Sequence, residues 1–74
     1  MGKLKILSGR EVCKILSQHG FEEIRQKGSH IIMQKAIDNS TITIPVPNHA
    51  ELKPGTLQSI IRQSEISKEI FLTK

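Results

Sequence analysis

The sequence predicts a two-layer α+β domain in which a helix, three antiparallel strands and a second helix follow one another. Three observations carry this expectation. Ser8-Gly9-Arg10-Glu11 has the form of a helix-starting capping box, two hairpin-type separators divide the middle of the chain into extended runs, and Pro54 precedes a second stretch of apolar residues at helical spacing. Helices gathered on one face of a three-stranded sheet make two layers around one core and leave the other sheet face open.

The first helix is placed at residues 9–19. Ser8 and Glu11 can each satisfy the other's unpaired backbone N–H, and Leu7 and Val12 stand at the positions of a hydrophobic staple. Val12, Ile15 and Leu16 then form one apolar face, and Gly20 supplies the left-handed stop after His19.

Three extended runs follow, Phe21–Gln26, Ser29–Lys35 and Thr41–Val46, with Lys27-Gly28 and Asp38-Asn39-Ser40 between them. Both separators have the residue chemistry of hairpin turns. The third run alternates strictly, which turns Ile42, Ile44 and Val46 inward and Thr41 and Thr43 outward. Pro45 has no N–H to give to a ladder and therefore marks an edge strand or a strand end.

A turn-rich stretch from Pro47 to Lys53 leads to Pro54, suited to the first turn of a helix, where its missing N–H is not needed. Leu57, Ile60 and Ile61 repeat the helical spacing. Ser67 reads as the cap of a final helical turn with Ile66 and Phe71 at staple positions, so this C-terminal part is expected to dock. The predicted core is Val12, Ile15, Leu16, Ile31, Met33, Ile42, Ile44, Leu57, Ile60 and Ile61.

At 74 residues the chain is expected to be one domain, residues 1–74, close to the lower size at which an apolar core suffices. The lone Cys13 cannot form an internal disulfide, and a reducing compartment is the natural reading. Residues 1–7 carry Lys3 and Lys5 without a following apolar stretch of signal-peptide or membrane-spanning length, so a cytoplasmic protein with no membrane partner is expected. Eleven Lys and Arg against seven Asp and Glu give a net charge of +4, which suits a polyanionic partner and equally suits a solubilising surface. Phe21 and Phe71 are the two rings, and Trp and Tyr are absent, which disfavours modules that stack single-stranded bases on exposed aromatics.

Among side chains that carry chemistry, His19, His30 and His49 fall on a helix end, a strand start and a loop, with no pair at metal-ligand spacing, so neither a metal nor another cofactor is expected. His19 complements the negative end of a helix dipole, and His49 sits among turn residues. Cys13 lies inside the first helix beside Val12, a structural setting rather than a nucleophilic one. His30 is different. The parity that buries Ile31 and Met33 turns His30, Ile32 and Gln34 to the open face, where Arg25 and Lys27 add positive charge, Gly28 allows a tight turn and Ser29 adds a hydroxyl. An imidazole beside cationic groups has the parts needed to hold a phosphate and move a proton. RNA supplies its own nucleophile, the 2′-hydroxyl, and needs little more than deprotonation, charge stabilisation and positioning to be cut.

Several ordered segments resemble the HicA-type toxins: Ser8-Gly9-Arg10-Glu11-Val12, the Gly20-Phe21 junction, Arg25-Gln26-Lys27-Gly28-Ser29-His30, Ile44-Pro45-Val46-Pro47-Asn48-His49, Glu51-Leu52-Lys53-Pro54-Gly55-Thr56-Leu57 and Ile60-Ile61-Arg62-Gln63. The resemblance covers nearly the whole chain. It implies a fold similar to the double-stranded RNA-binding domain and the activity of an mRNA interferase, a metal-independent endoribonuclease. It places the family's catalytic histidine at His30 and its turn glycine at Gly28, and it implies a HicB-type antitoxin as partner alongside RNA. Arg25, Lys27, Lys35 and Lys53 are the candidate RNA contacts, with Ser29 supporting the turn. Two other readings use the same surface: a non-catalytic double-stranded-RNA-binding module, and a protein-binding adaptor whose open face exposes Ile32. Phe21-Glu22-Glu23-Ile24 sets two carboxylates on the first strand, opposite in sign to the basic residues that follow.

Overall fold

The computed structural model describes residues 7–71; the N-terminal lysines Lys3 and Lys5 and the last three residues lie outside the described part. The order is α1 (Gly9–Gln18), β1 (Glu22–Lys27), β2 (His30–Ile37), β3 (Ser40–Pro47), α2 (Pro54–Ser64) and a terminal 3₁₀ turn, Lys68–Phe71. The strands form one antiparallel sheet with β2 in the centre. This is the α+β arrangement expected, with each strand shifted by a residue or two from its sequence-based bounds.

Local chemistry explains the ends of α1. The Ser8 N–H donates to Glu11 Oε1 at 2.9 Å and the Glu11 N–H donates to Ser8 Oγ at 3.1 Å, so the capping box is closed on both sides. At the other end His19 is the C-cap, and Gly20 takes φ +97°. Phe21 N–H reaches back to the Leu16 carbonyl at 3.0 Å and Gly20 N–H to that of Ser17 at 3.4 Å, the bonding of a Schellman motif. Its apolar contact is supplied by Leu16 and Phe21, both buried.

Leu7, Val12, Cys13, Leu16, Phe21, Ile31, Met33, Ile44, Val46, Leu52, Leu57, Ile60, Ile61 and Phe71 form one buried cluster. Eight of the ten predicted core residues are in it; Ile15 and Ile42 are half-buried and pack against its margin. Ile42 has the correct parity but lies toward the far end of β3, paired with Lys35, where cover is thinner. Ser67 caps the terminal turn as expected, accepting from Glu69 N–H at 3.3 Å, and Phe71 is buried.

Two features fix the end of the sheet where His30 lies. Gly9 is buried, and a Cβ there would collide with the Pro47 carbonyl oxygen, so only glycine lets the start of α1 pass under the end of β3. The Gly9 N–H donates to the His49 carbonyl at 2.9 Å, Leu52 N–H to that of Leu7 at 2.8 Å, and Asn48 N–H to that of Ser29 at 2.7 Å. Because Asn48 N–H points toward β2, alternation along the strand turns the nitrogens of Pro47 and Pro45 to the outer edge. Pro45 therefore sits on an edge strand, as expected, and costs the ladder no donor.

Candidate nucleic-acid interface

His30 opens β2 and is exposed, while Ile31 and Met33 beside it are fully buried. The hairpin that precedes it closes with Lys27 paired to His30, leaving Gly28 and Ser29 as the turn. Gly28 has φ +60° and Ser29 has no positive φ, the pattern of a type II′ turn with glycine first. Open space surrounds the site where a Gly28 Cβ would be, so it is the backbone conformation that requires glycine here. The Ser29 contribution comes through its carbonyl, which accepts from Asn48 and ties the hairpin turn to the loop after β3.

The register between strands sorts the open face into rows. Lys27, His30 and Pro47 lie side by side; next come Arg25, Ile32 and Pro45; then Glu22, Gln34 and Thr43. In the third row Gln34 Nε2 donates to Thr43 Oγ1 at 3.2 Å. Cross-strand neighbours on one face have Cβ atoms about 4.5–5.5 Å apart, which puts the Lys27 side chain within easy reach of the imidazole. A shallow groove of about 430 Å³ is lined by Lys27, Gly28, His30, Ile32 and Pro45.

Arg25 is in this face because the hairpin count from the Lys27–His30 pair sets it opposite Ile32; a β-bulge lies just beyond it, between Glu23 and Arg25. Glu23 pairs with Met33 and Arg25 with Ile32, so Ile24 is the extra residue, half exposed. Without it the count from Lys27 and His30 would run on to Ile24 opposite Met33 and Glu23 opposite Gln34, turning Ile24 toward the helices and the Glu23 carboxylate to the open face. A bulge re-aims the side chains beyond it, and here it exchanges the faces of the two carboxylates while Arg25 keeps its place on the face that carries His30. Glu23 therefore turns to the helix side, where it lies 3.7 Å from Arg10, and Glu22 is the one of the two that shares the open face, two rows from His30.

Residues 9–66, well over half of the chain, match the family model described as the HicA toxin of bacterial toxin–antitoxin systems. The chain belongs to the HicA toxin family. No curated protein matches it. The matched span of this HicA toxin runs from the first residue of α1 to just beyond α2 and includes all three rows of the open face.

Two of the four basic candidates stand apart from His30. Lys35 has the parity of Ile31 and Met33 and extends on the helix side, with Nζ 5.8 Å from the Phe21 ring centroid. Its aliphatic stem covers an apolar ring and its charge sits over the ring face, a packing role that a basic residue fills without any ligand. Lys53 is the exposed N-cap residue of α2, makes no side-chain cap bond and does not line the groove. Arg25 and Lys27 are the cations that share a face with His30.

His19 and Cys13 sit in structural settings. His19 Nδ1 is 2.9 Å from the Ile15 carbonyl at the end of α1. Burial pushes the Cys13 thiol above its ordinary value, nearby Glu23 adds to that, and Arg10 opposes it. Among the described residues no three His, Cys, Asp or Glu side chains converge, and no helix is long and apolar enough to cross a membrane. Sequence reasoning missed the Ile24 bulge and the Pro45 and Pro47 column. The bulge left no periodic signal, but the prolines were readable, since strict alternation through Ile44 and Val46 already turned both to the open face.

Proposed function

We propose that this HicA toxin is an endoribonuclease of the cytoplasm, with His30 transferring the proton between the 2′-hydroxyl of RNA and the cleavage site and with Lys27 and Arg25 holding phosphate. The observation that carries the reading is the row of Lys27, His30 and Pro47: an exposed imidazole beside an ammonium, on a sheet face that no helix among the described residues covers. Deprotonating the 2′-hydroxyl directs it at the adjacent phosphorus, the 5′-oxygen leaves with a proton, and a 2′,3′-cyclic phosphate remains. Cationic side chains next to the phosphate stabilise the charge that builds there. Gly28 sets the turn that presents both groups, and the Ser29 carbonyl anchors it. A HicB-type antitoxin would silence the site by covering this face, and an acidic partner surface complements its cations.

The test is cleavage of a defined RNA and its all-deoxy counterpart in the presence of a chelator. The expected outcome is RNA cut with undiminished rate, a cyclic phosphate or its hydrolysis product at the new 3′ end, and DNA left intact. A requirement for Mg²⁺ or a 5′-phosphate product would point to metal-assisted hydrolysis instead.

A further inference from the structure

We infer that the open sheet face takes its RNA as an unpaired strand, with phosphates along β1 and bases against an apolar column on β3; this rests on RNA being the substrate. The rows of the face have a consistent order across the sheet. β1 contributes a cation to each of the first two rows, Lys27 and Arg25, and β3 contributes a proline to each, Pro47 and Pro45. Between them β2 places His30 in the first row and Ile32 in the second.

A nucleotide has the same three-part order: phosphate, ribose, base. Laid across the first row with its phosphate at Lys27 and its base on Pro47, it sets the ribose over His30, and the 2′-hydroxyl comes to the imidazole. The next nucleotide lies across Arg25, Ile32 and Pro45, roughly two residues further along the strands, or about 6.6 Å. The track ends at the third row, where the Glu22 carboxylate repels a phosphate and Gln34 and Thr43 are bonded to each other.

Paired RNA does not fit this layout. A duplex offers its phosphates and 2′-hydroxyls at a shallow groove while its base faces are stacked inside, so an apolar column would meet nothing apolar. Unpaired bases are free to splay and lie on apolar side chains. Both aromatic rings, Phe21 and Phe71, are buried in the core, so the platform consists of prolyl rings and an isoleucine, with Pro45 exposed and Ile32 and Pro47 half-buried. The outward-facing nitrogens of Pro45 and Pro47 also leave this end of the edge without the donors that a partner's β-strand would need.

The experiment measures binding by the His30→Ala chain, expected to cut its ligand at least about 10²-fold more slowly, to a short unpaired oligoribonucleotide, to the same sequence within a duplex, and to a strand with abasic sites at each position in turn. The unpaired strand should bind tighter than the duplex, and one or two abasic positions should bind less well. Pro45→Ser should weaken unpaired binding by about 4- to 15-fold, the effect of losing one or two buried methylenes, with Pro45→Val restoring most of it. Duplex preference, equal binding of abasic and intact strands, or a Pro45→Ser affinity unchanged for RNA would overturn the unpaired-strand layout while leaving RNA as substrate. A parent chain that neither binds nor cuts RNA in any form would overturn the substrate assignment itself and leave the face to a protein partner.

Discussion

Neighbouring residues of β2 face two different worlds. Ile31 and Met33 are fully buried under the helices, whereas His30 and Ile32, one position away on the same strand, look onto an uncovered face. The covered face is constrained by packing, so almost any change there acts on stability. The open face contributes little to the core, and what it carries must be explained by something outside the chain. A histidine between a lysine and a proline has no packing partner to account for it, and that contrast is the reason to place the chemistry there.

The comparison can be broken by stability measurements. Ile31→Ala should destabilise by about 2–5 kcal/mol, enough to unfold much of so small a protein, because it leaves a cavity under α1 and α2. Ile32→Ala, the same change one residue along, should cost about 1 kcal/mol or less. Equal losses in chemical denaturation would mean that the two faces are not distinct. Gly9→Ala belongs with the covered face: its methyl meets the Pro47 carbonyl, and the end of β3 must shift to admit it. A loss of roughly 1–3 kcal/mol is expected, together with reduced RNA cleavage, since the same shift moves Pro47 away from His30.

Smaller effects sharpen the comparison at the turn. Gly28→Ala meets open space and is penalised only by its left-handed backbone, about 1–2 kcal/mol, without a packing change. Lys27→Ala should leave stability within about 0.5 kcal/mol while lowering RNA affinity and reducing the steepness of its salt dependence by nearly one phosphate contact. A Lys27→Ala chain whose salt dependence matches the parent would remove that residue from the phosphate column.

Much of this was legible in the sequence because the signals are local or periodic. The capping box of Ser8 and Glu11, the glycine stop at Gly20, the proline entry to α2 and the alternation of β3 each depend on residues within a few positions of one another. His30 could be assigned to the open face from Ile31 and Met33 alone. β1 was the least readable element: Glu-Glu-Ile-Arg-Gln-Lys has a single apolar residue, so no alternation exists to fix its parity, and the bulge at Ile24 decides which of the two carboxylates turns to the open face. Lys35 misled for a related reason. A long basic side chain can lie on a covered face when its stem packs on a ring, and composition does not distinguish that from a phosphate contact. The role of Gly9 required the third dimension, because the atom it makes room for belongs to a strand end far along the chain.

The central claim is that the exposed imidazole of His30 moves the proton in RNA cleavage without supporting the fold. The most direct measurement is the single-turnover cleavage rate of His30→Ala alongside its denaturation midpoint. A loss of about 10²–10⁴-fold or more in rate with an unchanged midpoint is the predicted result. Cleavage at the parental rate by the folded variant would contradict it and return this face to a binding role.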